Sequence, residues 1–383
     1  MGGRRRSRRH GGGRHHGPAQ SPARRRGRLA QVTDDIEERI EALWAAATAG
    51  DEYAAAAAAM AAIDDGVPME TLLLDVVAPV QARVGREWAA NRISVAQEHT
   101  ATAVNERVLA ALAHHPSWQE HPAPGRGRIT VACIDGEWHA FPARLLAEVL
   151  RVRGWQIDFL GAQVPTPHLV AHLHRTNPHA VALSSSLGIR LPAAHAAITA
   201  CQAAGTPVLA GGAAFGPDGR YARLLGADAW APDARSAAGL LAAGPVPRQP
   251  AGRAPYVACH EYTSLTRSAA DLVRGVMGEL GQEDRPETGG FPESGGGEEA
   301  RRPYVENVAY LVDFLRAAVY VDDPELFASF TGWLANILAA RDVPERVLLS
   351  ALDALARRLT GMPKALSALA QAQDVLRSGG PWR

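Results

Sequence analysis

The residues best suited to chemistry in this chain are His139, with Glu137 two positions before it, the hydroxyl run Ser184-Ser185-Ser186, and the pair Gly211-Gly212. Each follows or closes an apolar, β-like run, at 129–134, 180–183 and 207–210. Ligands of an open α/β sheet bind beyond the carboxyl ends of the strands, so these three groups are expected to converge on one crevice. A neutral imidazole is a good transition-metal ligand, provided its second nitrogen is held by a partner. Glu137 is placed to be that partner, and Ser184 to continue the relay. A lone histidine in a loop is more often a solvated side chain. The spacing argues otherwise: 45 residues from His139 to Ser184 and 27 from Ser184 to Gly211 suit one βαβαβ path. Gly211 and Gly212, without side chains, allow a close backbone approach.

A second constellation lies upstream. Nine residues separate Trp88 from Glu98, and His99 follows directly. Ser94 and Gln97 form a capping-box pattern that starts a helix, which puts Glu98 and His99 in its first turn while Trp88 closes the helix before. Across such a corner the three side chains can meet over one ligand. The plainer account is a core tryptophan and an acid favoured at a helix start by the macrodipole.

Around these residues the pattern separates into units. From Asp34, Ile36, Ile40, Leu43 and Trp44 recur with helical period. Further helices are expected over 52–63, from Pro68 to about residue 90, and from 95 to 113; short loops make the 34–121 region a four-helix bundle. After a Pro/Gly linker, strands near 128–134, 155–160, 180–186, 207–212 and 228–231 alternate with amphipathic stretches. That alternation means a parallel, flavodoxin- or Rossmann-like sheet over 128–245, so the class is α/β plus all-α. A second linker, 244–255, leads to a C-terminal helical domain, 256–383. Its helices are expected near 261–280, 304–320, 324–340, 344–359 and 365–376, with a flexible Gly/Glu-rich insert at 281–302.

Charge is unevenly spread. The formal net charge is zero, but residues 1–30 hold 10 Arg and no acid, which leaves 30 basic against 40 acidic residues in the remainder. With almost nothing to bury, residues 1–33 read as a disordered Arg/Gly-rich tail, either simply solvated or able to touch nucleic acid. Lys364 is the one lysine, so Arg in place of Lys carries little functional information. The three cysteines, Cys133, Cys201 and Cys259, form no CxxC pair, which disfavours a disulfide framework or a zinc site. No apolar run approaches the ~18 residues of a membrane span. The N-terminus lacks the apolar core of a signal peptide. A cytoplasmic protein is expected.

Taken together, Glu137-Trp138-His139, Ser184-Ser185-Ser186-Leu187 and Gly211-Gly212 resemble the cobalamin-binding domain of corrinoid methyltransferases, B12 mutases and B12 photoreceptors. The family pattern is Asp/Glu-x-His-x-x-Gly, then Ser-x-Leu or Ser-x-Thr, then Gly-Gly. The resemblance implies that His139 coordinates cobalt from below. It also implies that the displaced nucleotide tail lies in a slot lined by Ser184 and Ser186 and backed by Gly211 and Gly212. Pro142 stands where the pattern has Gly. Trp88, Glu98 and His99 resemble the Trp-x9-Glu-His cap of B12 photoreceptors, in which a bundle covers the upper face and its adenosyl group. Ala89 stands where some light-sensing relatives carry a second axial histidine.

On this resemblance the chain is expected to be a photoreceptor rather than an enzyme. It would bind adenosylcobalamin in the His-on, tail-displaced mode, and photolysis of the cobalt–carbon bond would drive a conformational change. The alternative is a corrinoid methyl-carrier protein of a methyltransferase system. Most relatives with such a cap begin with a helix-turn-helix; no DNA-binding domain is evident here, so the output falls to the C-terminal helices, a homo-oligomer or a protein signalling partner. The C-terminal region is similar in length and architecture to that of the photocobilins, B12 photoreceptors carrying a bilin beside a globin-like helical domain. That implies biliverdin bound near Tyr304, Phe314, Tyr320, Phe327, Phe330 and Trp333, with Cys259 as the nearest thiol. Aromatics at helical spacing are otherwise plain core.

Overall fold

The computed structural model describes residues 22–116, 125–248, 260–282 and 298–378, the side chains of 22–34, 282 and 298–303 excepted. The N-terminal unit is the expected bundle. It comprises α1 (Pro22–Ala49), α2 (Glu52–Asp64), α3 (Met69–Thr71), which runs on through a π turn (Leu72–Val77) into α4 (Ala78–Ala89), and α5 (Val95–Leu112). Asp51 caps α2 by accepting from the Ala54 amide at 2.9 Å, and Gly66, with φ +89°, turns the chain out of it. At α5 the capping box forms in full: Ser94 Oγ accepts from the Gln97 amide, and Gln97 Oε1 accepts from the Ser94 amide. Leu43, Leu72, Leu73, Val76, Val80, Val84, Val104 and Val108 fill the interior. The tail expected to be disordered through residue 33 is a correction. Helix α1 already begins at Pro22, where a run of Arg, Leu, Ala and Gln favours helix; residues 1–21 lie outside the described residues.

The second unit is a five-stranded sheet with all neighbours parallel, in the order β2-β1-β3-β4-β5. Its strands are β1 (Arg128–Cys133), β2 (Gln156–Gly161), β3 (Ala180–Ser184), β4 (Val208–Gly211) and β5 (Ala229–Ala231). Between them run α6 (Phe141–Val152), α7 (Thr166–Thr176), α8 (Leu191–Ala203), α9 (Arg220–Leu224) and α10 (Ala234–Ala243). Chain order reverses between β1 and β3, and a crevice opens above the strand ends at such a switch point. The register pairs Cys133 with Ser184 and Ser184 with Gly211, so the three motif-bearing loops leave the sheet side by side. Helices α6 and α10 share one apolar core with the bundle. Polar ties reinforce that face: Arg153 donates to both Glu70 oxygens at 2.7 and 2.9 Å, and Arg235 pairs with Asp75 at 2.9 Å.

The C-terminal unit is all helical: α11 (His260–Gln282), α12 (Glu298–Val321), α13 (Pro324–Ala339), α14 (Glu345–Arg358) and α15 (Pro363–Arg377). Leu265, Val276, Leu311, Leu315, Phe327, Leu352, Leu355 and Leu369 form its core. Pro324 opens α13, with Asp323 accepting from the Glu325 amide at 2.9 Å; Pro344 instead immediately precedes α14. Of the insert expected over 281–302, residues 281–282 belong to α11 and 298–302 to α12; residues 283–297 lie outside the described residues. No helix among the described residues is long and apolar enough to cross a membrane.

Candidate cofactor site

The loop after β1 turns at Gly136, with φ +75°, and presents Glu137, Trp138 and His139 beyond the sheet edge. Glu137 is fully buried, with 0% of its side chain exposed. Its Oε1 accepts from the backbone amide of His139 at 3.0 Å and from His139 Nδ1 at 2.6 Å. Its Oε2 accepts from Ser185 Oγ at 3.0 Å and from the amides of Ser186 and Leu187 at 2.7 and 3.2 Å. One carboxylate thus ties the loop after β1 to the loop after β3. Burial pushes the Glu137 carboxyl upward, yet hydrogen bonds from His139 and Ser186 outweigh it and hold the group at about 2. An ionised Glu137 keeps the proton on His139 Nδ1 and leaves Nε2 on a side chain that is 53% exposed. The hydrogen bond to Glu137 raises the His139 pKa against the opposing effect of burial; Glu98, across on the bundle, raises it further, and Arg190 opposes.

The relay does not run through Ser184 as expected. Ser184 is buried at the end of β3, where its carbonyl accepts from Ile134, and the hydroxyl on Glu137 belongs to Ser185. Ser185 is the serine two positions before Leu187, and strand alternation would have separated it from Ser184, since neighbouring side chains point to opposite faces. Gly212, at φ +98°, has a structural requirement within the protein itself. A Cβ there would overlap the Ser185 carbonyl, so the absent side chain allows the loops after β3 and β4 to close on each other. Gly211 meets only the Ala231 carbonyl at ordinary contact distance. Pro142 lies in the first turn of α6, where a missing amide hydrogen leaves no helix bond unmade. Trp138, 67% exposed, stands beside His139, and the buried Nε of Arg190, whose guanidinium sits against Gly136, has no hydrogen-bond partner.

On the bundle side, Glu98 and His99 share the first turn of α5, and Glu98 Oε2 pairs with His99 Nδ1. Glu98 Oε1 accepts from Thr102 Oγ1 at 3.1 Å; Thr102 accepts from Gln81 Nε2 at 2.8 Å, and Gln81 Oε1 accepts from the buried Asn105 at 2.8 Å. This polar chain from the bundle interior to Glu98 was not singled out from sequence. The available signal was the placement of Gln81 and Asn105 beside the apolar positions Val80, Val84, Val104 and Val108. Trp88 is half-buried at the end of α4, and its ring lies 6.5 Å from that of Trp333 in the C-terminal unit.

The aromatics expected around a second chromophore separate into two groups. Phe314 and Phe330 stack at 3.7 Å and, with Phe327, fill the C-terminal core. Tyr304 lines a shallow apolar cleft with Leu280, Leu311 and Leu338. Tyr320 and Trp333 instead reach the other two units, Tyr320 by its hydroxyl to His195 Nδ1 at 2.6 Å. Cys259 lies outside the described residues.

Among the described residues no three His, Cys, Asp or Glu side chains converge as a metal cluster. A metal at His139 would therefore bring most of its donors with it, which fits one already held in a macrocycle. Comparison with known proteins agrees with that chemistry. Residues 127–241 match a family model described as a B12 binding domain, and residues 39–113 match a second model of the same description. The chain is similar to the HTH-type transcriptional repressor CarA of Myxococcus xanthus, at 33% identity over 93 residues. That match covers 24% of this chain and 31% of the repressor, so less than a third of the relative's length is spanned. Among solved structures, the monomethylamine corrinoid protein of Methanosarcina barkeri is 19% identical with a TM-score of 0.47, over 54% of this chain and 99% of that one. The methanol:cobalamin methyltransferase complex of the same organism is 19% identical with a TM-score of 0.29, over 54% of this chain and 79% of that one.

Proposed function

We propose that this chain, a cobalamin-binding protein by its two B12-binding domains, is a light sensor that takes adenosylcobalamin between bundle and sheet in the His-on, tail-displaced mode. The observation that carries the reading is a histidine with one ring nitrogen fixed on Glu137 and the other presented outward, within electrostatic reach of Glu98 on the cap. His139 would hold cobalt through Nε2. Glu137 keeps the Nδ1 proton in place and so makes Nε2 the better donor. Ser184 and Ser186 would line the slot for the nucleotide tail, with Gly211 and Gly212 behind it. Trp88, Glu98 and His99 would close over the upper group. When bound, adenosylcobalamin supplies a cobalt–carbon bond that visible light breaks. Loss of the upper group changes what the Trp88 corner touches, and only such a difference in interaction can shift a conformational equilibrium.

The alternative, a corrinoid methyl carrier, asks the cap to swing clear for a partner enzyme. The corner bearing Trp88 is bonded to the C-terminal unit, where Asn91 Nδ2 donates to the Ala340 carbonyl at 3.1 Å, which favours the sensor. Output would then pass to the C-terminal helices and on to a signalling partner or a second copy of the chain. A bilin such as biliverdin is the second chromophore of this reading. With Phe314, Phe327 and Phe330 occupying the helical core, its support narrows to the seam around Tyr262 and Tyr320, whose rings lie 4.8 Å apart with Arg316 over Tyr262.

Absorption spectra and elution volume of the full chain with adenosylcobalamin, dark and then under green light, test the sensor. A converted cobalt spectrum with a changed elution volume is expected. Bound cobalamin with no light-dependent change in elution or proteolysis would overturn the sensor and leave the carrier. Adding biliverdin should give red absorbance with induced circular dichroism; no induced signal would remove the bilin.

A further inference from the structure

Helix α4 ends at Ala89, and its last carbonyls need partners from outside the helix. The amides that follow serve Arg86, Glu87 and Trp88, Asn91 N reaching the Trp88 carbonyl at 3.0 Å. Arg341, just past the end of α13, adds a second donor there, Nη2 at 3.1 Å, and its Nη1 donates to the Ala89 carbonyl at 3.2 Å. The same Nη1 donates to the Ile337 carbonyl at 3.0 Å, so one guanidinium joins the C-terminal ends of two helices from different units. A cation is favoured at such an end. The guanidinium carbon also lies 5.3 Å from the centre of the Trp88 ring, within cation–π range. Trp333 and Ile337 precede Arg341 at i−8 and i−4, one face of a helix, so the stripe that presents the guanidinium also presents the indole packed on Trp88.

The opposite end of α13 is anchored to the sheet unit. Asp323 accepts from the Tyr221 hydroxyl at 2.8 Å, and Arg220 pairs with Glu325 at 2.7 Å and Asp323 at 3.3 Å. Nearby, the Gly188 backbone leaves room only for Leu326 and Phe314, so the loop after β3 and the C-terminal unit are in direct contact. At 16 residues, α13 is about 24 Å long. It runs as a strut from the sheet that carries His139 to the corner that carries Trp88.

We propose that Arg341 is a positioning residue: it fixes the Trp88 indole relative to the sheet and thereby sets which upper ligand on cobalamin the cap accepts. The second half rests on Trp88 being the upper-face contact described above. With Arg341 in place, the indole is held between a guanidinium and Trp333 and cannot retreat or fill in. Without it, the indole relaxes, and the site loses its distinction between a bulky and a small upper group.

The full chain and its Arg341→Ala and Arg341→Lys variants test both halves. In the ligand-free protein, Arg341→Ala should change the near-ultraviolet circular dichroism in the same bands as Trp88→Phe, with far-ultraviolet signal unchanged. Titration in the dark with adenosylcobalamin and with hydroxocobalamin should show the wild type discriminating between them. Arg341→Ala should reduce that ratio on the order of tenfold, and Arg341→Lys, which keeps charge but loses the planar fork, should recover part of it. Unchanged near-ultraviolet bands would overturn the positioning of Trp88. Changed bands with an unchanged ratio would overturn the control of specificity. A wild type without any preference would overturn that control together with the placement of Trp88 at the upper ligand, leaving His139 coordination untouched.

Discussion

On the sheet side of the crevice, Glu137 is fully buried and takes hydrogen bonds from His139, Ser185, Ser186 and Leu187, whereas on the cap side His99 is 75% exposed and pairs with Glu98. The sheet side is pre-organised, because moving His139 means breaking bonds that also hold two loops together. The cap side is set from behind, through Thr102, Gln81 and Asn105 within the bundle and through Arg341 and Trp333 from the C-terminal unit. A site that holds a cofactor on one wall and reads its other face with the second has reason to differ in this way. On the proposed reading, rigidity at His139 would preserve a bond to cobalt, and dependence of the cap on distant contacts would let a change there travel.

The strongest way to break this comparison is to remove its centre. Glu137→Ala leaves the Ser185 hydroxyl and the Ser186 and Leu187 amides without an acceptor and should destabilise the fold by about 2–4 kcal/mol, read from urea or thermal unfolding. A loss within ~0.5 kcal/mol, the range of an ordinary surface substitution, would show that the loops after β1 and β3 do not depend on this carboxylate. His139→Ala sharpens the same point from the other direction. Its half-exposed ring should matter little to folding, while the His-on cobalt spectrum should disappear or affinity fall sharply. Unchanged cobalt spectroscopy and affinity would displace His139 as the axial ligand.

The fold of the first two units was legible because its signals are periodic. Apolar runs of strand length alternate with amphipathic stretches, the capping box at Ser94 and Gln97 marks a helix start, and the turn at Gly66 marks an end. The site was legible where a motif has fixed spacing, as with Glu137 and His139. It was misread where a neighbouring residue of the same type could take the role, as with Ser184 and Ser185, because choosing between them requires knowing which side of the strand end faces Glu137. At Gly212 the structure adds a constraint of its own: positive φ and contact with the Ser185 backbone are properties of a tertiary approach that no local pattern encodes. The tie between Trp88 and Arg341 spans more than 250 positions of sequence with neither residue in a motif shared with the other, so only the packed structure reveals it.

The cap offers a smaller effect. Gln81→Leu leaves the Asn105 amide and the Thr102 hydroxyl short of a partner inside the bundle and should cost about 1–2 kcal/mol. Glu98→Gln, at the outer, partly buried end of the same chain, keeps an acceptor for Thr102 and should stay within ~0.5 kcal/mol. If thermal unfolding places both variants at the level of Glu137→Ala, the cap is as rigidly determined as the sheet edge and the contrast fails.

The smallest expected effect lies at the seam between the sheet and the C-terminal unit, where His195 Nδ1 accepts from the Tyr320 hydroxyl and Tyr262 packs edge-on against the Tyr320 ring. Burial lowers the His195 pKa below its ordinary 6.5, so the folded chain prefers the neutral ring. The unfolded chain takes up the proton first as pH falls. The contribution of this contact is therefore fully present above about 6.5 and is lost as pH drops through the lower, folded value. A neutral replacement cannot gain that charge. Between pH 7.5 and 5.5 the wild type should lose slightly more Tm than His195→Gln, and the difference should vanish above pH 7. Parallel profiles for the two proteins across this range would mean that the seam tolerates a charged imidazole. The pH-independent contacts, the Arg220, Tyr221 and Asp323 cluster and the packing of Leu326 and Phe314 on Gly188, would then carry the link between sheet and C-terminal unit.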